Sequence, residues 1–549
     1  MYVFDRNSDT GYSSFGDDAD RVDSVAKIFP IFFILVAGLV CLTTMTRMVE
    51  EQRTEIGTLK ALGYGNTAIA SQFLLYSVSA SVIGAFGGLL IGFNLFPKVI
   101  FNAYRMMYIY PDVVCKFRWD YTTGCLVASL LCTGLSSMVA CYSELSGRPA
   151  QLMRPKPPKN GKRVFLEKIP FIWNHMGFNA KVTARNVFRY KNRVLMTVVG
   201  IGGCTALMLA GFGLKNAISV IVDLQFGEII KYDSTNIFSC ETHEEYKQLR
   251  EDIKDNENIS QYLFALQKTV TIQGEKRNME VYAIVPENIE DMENFIELRD
   301  RKTHEQYILN DDGVIINEKL AKLLDLKVGD NVSFDGGEKE LKISAITENY
   351  VNNYVYFSPA TYKDTFGDYD NNTIFADIAE GVTDDDFSKS ILENKSVMSV
   401  SFMNIAGNTF KDLIKSLNAI VFVIIGSSGA LAFVVLYNLS NININERIRE
   451  LATIKVLGFF DGEVAAYIYR ENVISSVLGM IVGLVGGIFF TDFIIQTSEV
   501  DVVMFCHDIP LKCYLYAGVL TLVFTALVNA ILYFKLKKID MATSMKAIE

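Results

Sequence analysis

The sequence predicts an α-helical polytopic membrane protein with about seven transmembrane helices and one α+β extracytoplasmic domain. Three observations carry this. Seven stretches, at about 26–48, 67–97, 121–142, 194–216, 414–438, 464–491 and 513–535, are strongly apolar and nearly free of charge. About 20 such residues cross the hydrocarbon core as a helix. Between the fourth and fifth stretches lie some 200 residues patterned as short strands and helices, about the size of one domain. Finally, a motif near the start of the chain returns 395 positions later.

The elements follow in order. Residues 1–25 are polar and acidic, with neither a basic nor an apolar region of the signal-peptide kind, and are expected to be an extracytoplasmic remnant. The first stretch contains IFFILVAGLVCL, and each Leu, Ile, Phe or Val favours insertion by roughly 0.3–0.6 kcal/mol at a helix centre. After the third stretch, residues 143–193 hold 12 Lys+Arg against 2 Asp+Glu. That asymmetry marks a cytoplasmic segment, of which 157–193 is read as a basic linker. Alternation then puts 44–66, 439–463 and the C-terminal tail inside, and the N-terminus and 217–413 outside. Residues 218–412 carry 38 acidic and 19 basic residues, as fits an outer surface. Within them VYAIVPENI, GVIINEKLAKLLDLKVGDNVSF and ELKISAITENYVNNYVYFSP read as strands with short helices. The nine cysteines, most of them in predicted spans, read as free thiols.

The recurring motif is EQRTEIGTLKALGY at 51–64 and ERIRELATIKVLGF at 446–459. Six identities pair Glu51 with Glu446, Glu55 with Glu450, Thr58 with Thr453, Lys60 with Lys455, Leu62 with Leu457 and Gly63 with Gly458. Ile56, Leu59 and Tyr64 meet Leu451, Ile454 and Phe459. Glu in the first turn, apolar residues at helical spacing and a terminal Gly predict a short amphipathic helix at the inner membrane surface. A helix that only turned the chain would need amphipathicity alone. The repeated Glu, Thr, Lys and Gly at fixed offsets point to a docking surface for a cytoplasmic partner. In the spans that follow, Gly84, Gly88 and Gly92 correspond to Gly479, Gly483 and Gly487. Glycines four apart share one helix face and admit a second backbone, so they are expected to be helix-packing sites. A weaker match joins PAQLMRPK at 149–156 to MATSMKAI at 541–548.

These residues together resemble the FtsX-like (MacB-type, type VII) permease of ATP-binding-cassette transporters, with one permease domain at 26–156 and a second at 414–549. The segment GVIINEKLAKLLDLKVGDNVSF resembles one common in the extracytoplasmic domains of that group. The resemblance implies a membrane subunit that docks a separate ABC-type ATP-binding protein dimer. It would couple hydrolysis to motion of the outer domain, exporting or extracting an amphiphilic substrate such as a peptide, a lipid-linked molecule or a drug. By that analogy Glu51, Glu55, Ile56, Thr58, Leu59, Lys60 and Gly63, with Glu446, Glu450, Leu451, Thr453, Ile454, Lys455 and Gly458, would lie against the ATPase. The alternative within the family is a signal relay that controls an extracellular partner such as a cell-wall hydrolase. The second copy has a span and an outer domain ahead of its three spans, whereas the first has only a short scrap. The chain is therefore expected to be the C-terminal part of a longer ancestor, partnered by the missing N-terminal half or by a second permease.

No catalytic or metal site is expected. The chain lacks G-x-x-x-x-G-K-[ST], so no cofactor is expected and ATP would be used by the partner. ELSGRPAQ at 144–151 follows a span and has no phosphate-binding loop to serve. THEEYK lacks the second His of H-E-x-x-H, and DYDNNT lacks the Gly and the final Glu of a calcium loop. Membrane lipids are expected to be partners and nucleic acid is not. Arg470 and Glu471, early in a span, are expected to snorkel to the interface.

Overall fold

A computed structural model describes residues 10–104, 117–153, 170–175, 177, 181, 185, 191–274, 277–335, 340–446, 448–499 and 501–537. The chain forms two compact units. One comprises Met1–Lys215, Ser416–Thr497 and Ile509–Glu549, and the other Asn216–Lys415 with Ser498–Asp508.

The first unit is helical. Among the described residues, seven helices are long and apolar enough to cross a membrane: Pro30–Glu51, Asn66–Val99, Trp119–Tyr142, Val194–Ile229, Val421–Asn445, Asp461–Thr497 and Leu511–Lys537. Several overrun the apolar stretches of the sequence. Lys191–Leu224 has 34 residues and Met403–Glu446 has 44; at 1.5 Å per residue these are about 51 and 66 Å long, against a hydrocarbon core of about 30 Å. Hydropathy sees only the part that a bilayer would solvate. Two short helices, Arg53–Ala61 and Ile448–Val456, each sit between a first and a second span of a repeat. Each is roofed by its own cluster. Ile56 packs with Met45, Val49, Ile69, Phe73 and Leu152, and Leu451 with Ile444, Val464, Leu532 and Leu536. Hydroxyl and amide groups tie helices together: Asn438 Nδ2 donates to Thr44 Oγ1 at 2.7 Å, and the Thr205 and Thr521 hydroxyls meet at 3.1 Å.

The second unit is α+β. Its nine strands are β1 (Ser234–Phe238), β2 (Ile259–Gln273), β3 (Met279–Pro286), β4 (Val314–Asn317), β5 (Asn331–Phe334), β6 (Leu341–Thr347), β7 (Tyr354–Tyr356), β8 (Thr373–Ile378) and β9 (Val397–Phe402). They form one mixed sheet in the order β3-β7-β4-β6-β5-β2-β8-β1-β9, with β2 also paired to β3. The short helices start where the sequence supplies a cap: the Thr242, Asn288, Ser358 and Thr383 side chains each accept from a backbone amide of the first turn. The segment expected to be strand, helix, strand is β4, Glu318–Leu324 and β5. Asp325 closes that helix in the left-handed region at φ 58°.

Residues 498–508, which the sequence places between two spans of the second permease domain, belong to this α+β unit. Val503 bridges Val351, and Asn352 N and Met504 N donate to Val502 O and Tyr350 O. Nothing in the local sequence announces this, because pairing with a distant strand end leaves no periodicity in an eleven-residue loop.

Candidate functional site

The two short helices end in the same way. Gly63 has φ +93° and Gly458 φ +94°. Gly63 N donates to Lys60 O and Tyr64 N to Leu59 O, both at 3.1 Å. Gly458 N donates to Lys455 O at 3.0 Å and Phe459 N to Ile454 O at 3.4 Å. Both are Schellman closures, in which a left-handed residue lets two amides satisfy the last carbonyls. Glycine is required because a Cβ strains that conformation.

The repeated lysines have a role that spacing did not reveal. Lys60 Nζ donates to Gly147 O at 3.0 Å and to Leu145 O, at the end of the Trp119–Leu145 helix. Lys455 Nζ donates to Leu536 O at 3.2 Å, at the end of the Leu511–Lys537 helix, and pairs with Asp461 at 2.8 Å. Each lysine thus binds the carbonyl end of the third span of its own repeat, where unpaired carbonyls and the helix dipole favour a cation. Gly57 fits tightly under the Pro149–Leu152 turn, where a Cβ would stand 2.8 Å from Met153 Cγ. The second-copy equivalent, 541–548, lies outside the described residues.

This geometry sorts the residues of the expected docking surface by exposure. Ile56, Leu451 and Lys455 are buried, and Leu59, Lys60 and Ile454 are half-buried. They anchor the helices, because an amphipathic stripe at helical spacing is the face that turns to the core. The exposed face holds Glu51, Glu55, Thr58 and Gly63 in one copy, with Thr453 and Gly458 in the other. The side chains of Glu446 and Glu450 lie outside the described part. Beside each terminal glycine is an apolar projection that the expected set omitted: Leu62 and Tyr64 are 71% and 56% exposed, and Leu457 and Phe459 are 71% and 52% exposed. The tight closure holds these side chains off the helix end; the Leu62–Leu457 and Tyr64–Phe459 pairing was the sequence signal that could have found them.

The two glycine triplets differ. A Cβ on Gly483 would stand 2.5 Å from Gly202 O, one on Gly479 2.8 Å from Ile201 Cβ, and one on Gly487 2.8 Å from Leu209 Cδ2. The Lys191–Leu224 and Asp461–Ser498 helices therefore meet backbone to backbone. Gly84, Gly88 and Gly92 have no atom within 4 Å of the same position, so the structure brings nothing onto that face among the described residues.

Arg470 is exposed, but Glu471 is 3% exposed. It lines a small polar pocket with Asn443, Asn472, Ser475 and Ser476, and Asn443 Nδ2 donates to Asn472 Oδ1 at 2.9 Å. Snorkelling fails for Glu471 because its helix face turns towards neighbouring helices.

In the α+β unit the 498–508 segment is held by buried charge. Lys319 Nζ meets Glu499 Oε2 at 2.7 Å, and the two side chains are 7% and 6% exposed. His507 Nε2 stands 3.3 Å from Glu499 Oε1, within ion-pair range though off the angle of a hydrogen bond. Phe505 N donates to that same oxygen at 3.0 Å. Burial pulls the Glu499 carboxyl upward, but His507, Lys319 and the Phe505 amide outweigh it and hold the group at about 2. Arg277 pairs with Asp501 at 2.6 Å, and Asn353 Nδ2 donates to Asp501 O at 3.0 Å. Nearby, Arg299 is braced by Glu348 and Glu228, both at 2.6 Å. Among the described residues no group of three or more His, Cys, Asp or Glu stands where it could hold a metal ion.

Comparison with known proteins gives matches at the level of domains. Residues 27–146 and 422–541 match the FtsX-like permease C-terminal family, and 194–393 match the MacB-like periplasmic core domain. An uncharacterized ABC transporter permease of Methanocaldococcus jannaschii is 29% identical over 158 residues, covering 26% of this chain and 39% of that protein. The chain thus matches about two fifths of that relative's length. Among solved structures, the periplasmic region of MacB from Actinobacillus actinomycetemcomitans aligns with TM-score 0.24 and 11% identity, covering 33% of this chain and 93% of that one. The extracellular domain of the ABC-type transporter YknZ from Gram-positive bacteria aligns with TM-score 0.23 and 15% identity, covering 31% of this chain and all of that one.

Proposed function

Since the chain belongs to the FtsX-like, MacB-type permeases of ATP-binding-cassette transporters, we propose that it couples ATP hydrolysis by a separate ATPase dimer to motion of its extracytoplasmic domain, exporting or extracting an amphiphilic substrate. The observation that carries this is the matched pair of short helices. Each is closed by a positive-φ glycine, tied by its lysine to the third span, and left with Glu or Thr and an apolar projection exposed. A symmetric motor acting on one chain needs two such surfaces. Force on a short helix would pass to both flanking spans, since the helix is fixed at the lysine and continuous with them through short turns. In the second repeat the Asp461–Ser498 helix leads straight into 498–508, and the Lys319–Glu499 pair fixes that segment within the extracytoplasmic domain. The short helices would be cytoplasmic, as would the C-terminus, with the N-terminus outside.

The bare Gly84, Gly88 and Gly92 face is proposed to receive one further transmembrane helix, as Gly479, Gly483 and Gly487 receive Lys191–Leu224. That helix would come from a second permease.

The test is mild-detergent co-purification of the tagged chain from its native cell. An ATPase bearing a phosphate-binding loop is expected to accompany it and to be lost when Glu55 and Glu450 are both changed to Lys. Retention of the ATPase by that variant would remove the short helices from the docking role. Stimulation of its hydrolysis by an amphiphile favours transport, whereas dependence on a wall-bound protein favours signal relay.

A further inference from the structure

The extracytoplasmic domain holds a groove of about 450 Å³ whose walls include Phe226, Tyr232, Tyr282, Tyr354 and Phe410, within the usual 300–1,000 Å³ of ligand sites. The aromatic rings come in packed pairs: Tyr282 and Tyr354 have centroids 5.7 Å apart, and Phe226 and Phe410 5.9 Å apart. Gly407 of the Met403–Glu446 helix faces Phe226, whose Cγ would stand at the ordinary contact distance of 3.4 Å from a Cβ there. Tyr282 is 40% exposed, so the surface is open to solvent rather than core.

Its charge is unlike its surroundings. Residues 218–412 carry twice as many acidic as basic residues, yet among the described residues the groove lining contains no Asp or Glu and one cation, Lys268. Lys268 is exposed and forms no ion pair among the described residues. It stands between this groove and a second depression lined by Asp335, Asp368 and Asp370, whose charge would repel an anion and keep it at the lysine. Position matters too. Phe410 is eleven residues before the apolar window that starts at Val421 of the same helix, so the groove lies close in sequence to a span.

We propose that this groove takes the apolar segment of an anionic amphiphile, with Lys268 holding the anionic group. This rests on the reading of the chain as a permease for amphiphiles and assigns that substrate to named residues.

The probe is a dodecyl phosphate carrying a diazirine in its alkyl chain, applied to the full chain in nanodiscs of neutral lipid and mapped by mass spectrometry. Adducts are expected on peptides bearing Phe226, Tyr354 or Phe410. They should be competed by dodecyl phosphate and spared by dodecyltrimethylammonium at equal concentration. Lys268→Glu should weaken competition about tenfold, and Tyr282→Ala, at an exposed position, should cut labelling several-fold without altering thermal stability. Labelling confined to the membrane helices, or equal competition by the cationic amphiphile, overturns the proposal. ATPase co-purification is scored on the same preparations. Loss of labelling with the ATPase retained would remove the groove alone, whereas groove labelling without any ATPase would remove the permease reading and leave the groove.

Discussion

Glu499→Gln should loosen the 498–508 segment from the extracytoplasmic domain by a calculable amount. The carboxyl has an ordinary value of 4.5 and is held at about 2 by His507, Lys319 and the Phe505 amide against burial. At 1.36 kcal/mol per pH unit the interval amounts to about 3 kcal/mol in favour of the charged, folded form. Breaking a buried pair costs about 3–5 kcal/mol, because the remaining charge loses its partner. Because the folded-state value is depressed, the contribution is complete above pH 4.5 and is lost as pH falls from there towards about 2. The assay is hydrogen exchange by mass spectrometry on the full chain in nanodiscs. Protection of Phe505 and Met504, whose amides donate to Glu499 and Tyr350, should fall about a hundredfold in Glu499→Gln at pH 7. The difference from the parent should narrow below pH 4.5. Replacing both partners, Lys319→Met with Glu499→Leu, should restore much of the protection at Met504, since an apolar pair of similar volume leaves no unpaired lysine, while Phe505 N, its acceptor gone, stays exchangeable. A single variant within threefold of the parent, or a double variant as damaged as the two singles combined, would refute the reasoning.

Three further outcomes follow from the membrane unit. Gly483→Leu places side-chain atoms where Gly202 O already stands 2.5 Å from a Cβ, and overpacking of that kind costs about 1–3 kcal/mol; it should lower the thermal midpoint, while Gly88→Leu, with open space around it, should leave this chain's midpoint unchanged. Gly63→Val and Gly458→Val force a β-branched residue to φ near +93°, at roughly 1–2 kcal/mol each, and should raise amide exchange at Tyr64 and Phe459 with little change elsewhere. Lys60→Ala and Lys455→Met should mobilise the two short helices, seen as faster motion of a spin label at Leu62 or Leu457, without dissociating the spans; unchanged label mobility would show that the lysine contacts do not hold them.

Much of this architecture was legible in the sequence because its signals are local or repeated. Twenty apolar residues announce a span whatever surrounds them, and the 395-residue offset exposed both short helices and both closing glycines. The helix Glu318–Leu324 between β4 and β5 was readable for the same reason. The illegible parts depend on partners far along the chain. Lys60 and Lys455 looked like surface charges; their acceptors are carbonyls 85 and 81 residues away, and backbone carbonyls carry no mark in a sequence. The repeat made Gly84, Gly88 and Gly92 look equivalent to Gly479, Gly483 and Gly487, yet only the second triplet has Gly202 opposite it. Conserving a residue type within a repeat records what the unit can do, and the neighbour decides whether it does it. The same reasoning explains why Ile56 and Leu451, read as contact residues, are core residues.

Both short helices are proposed to bear on the same ATPase. A photoreactive phenylalanine placed singly at Tyr64, at Phe459, and as a control at Ile308, which is 78% exposed in the extracytoplasmic domain, tests it in the native membrane. An adduct with one and the same ATP-binding polypeptide is expected from Tyr64 and from Phe459, and none from Ile308. Adducts from neither helix, or from one helix only, would contradict it.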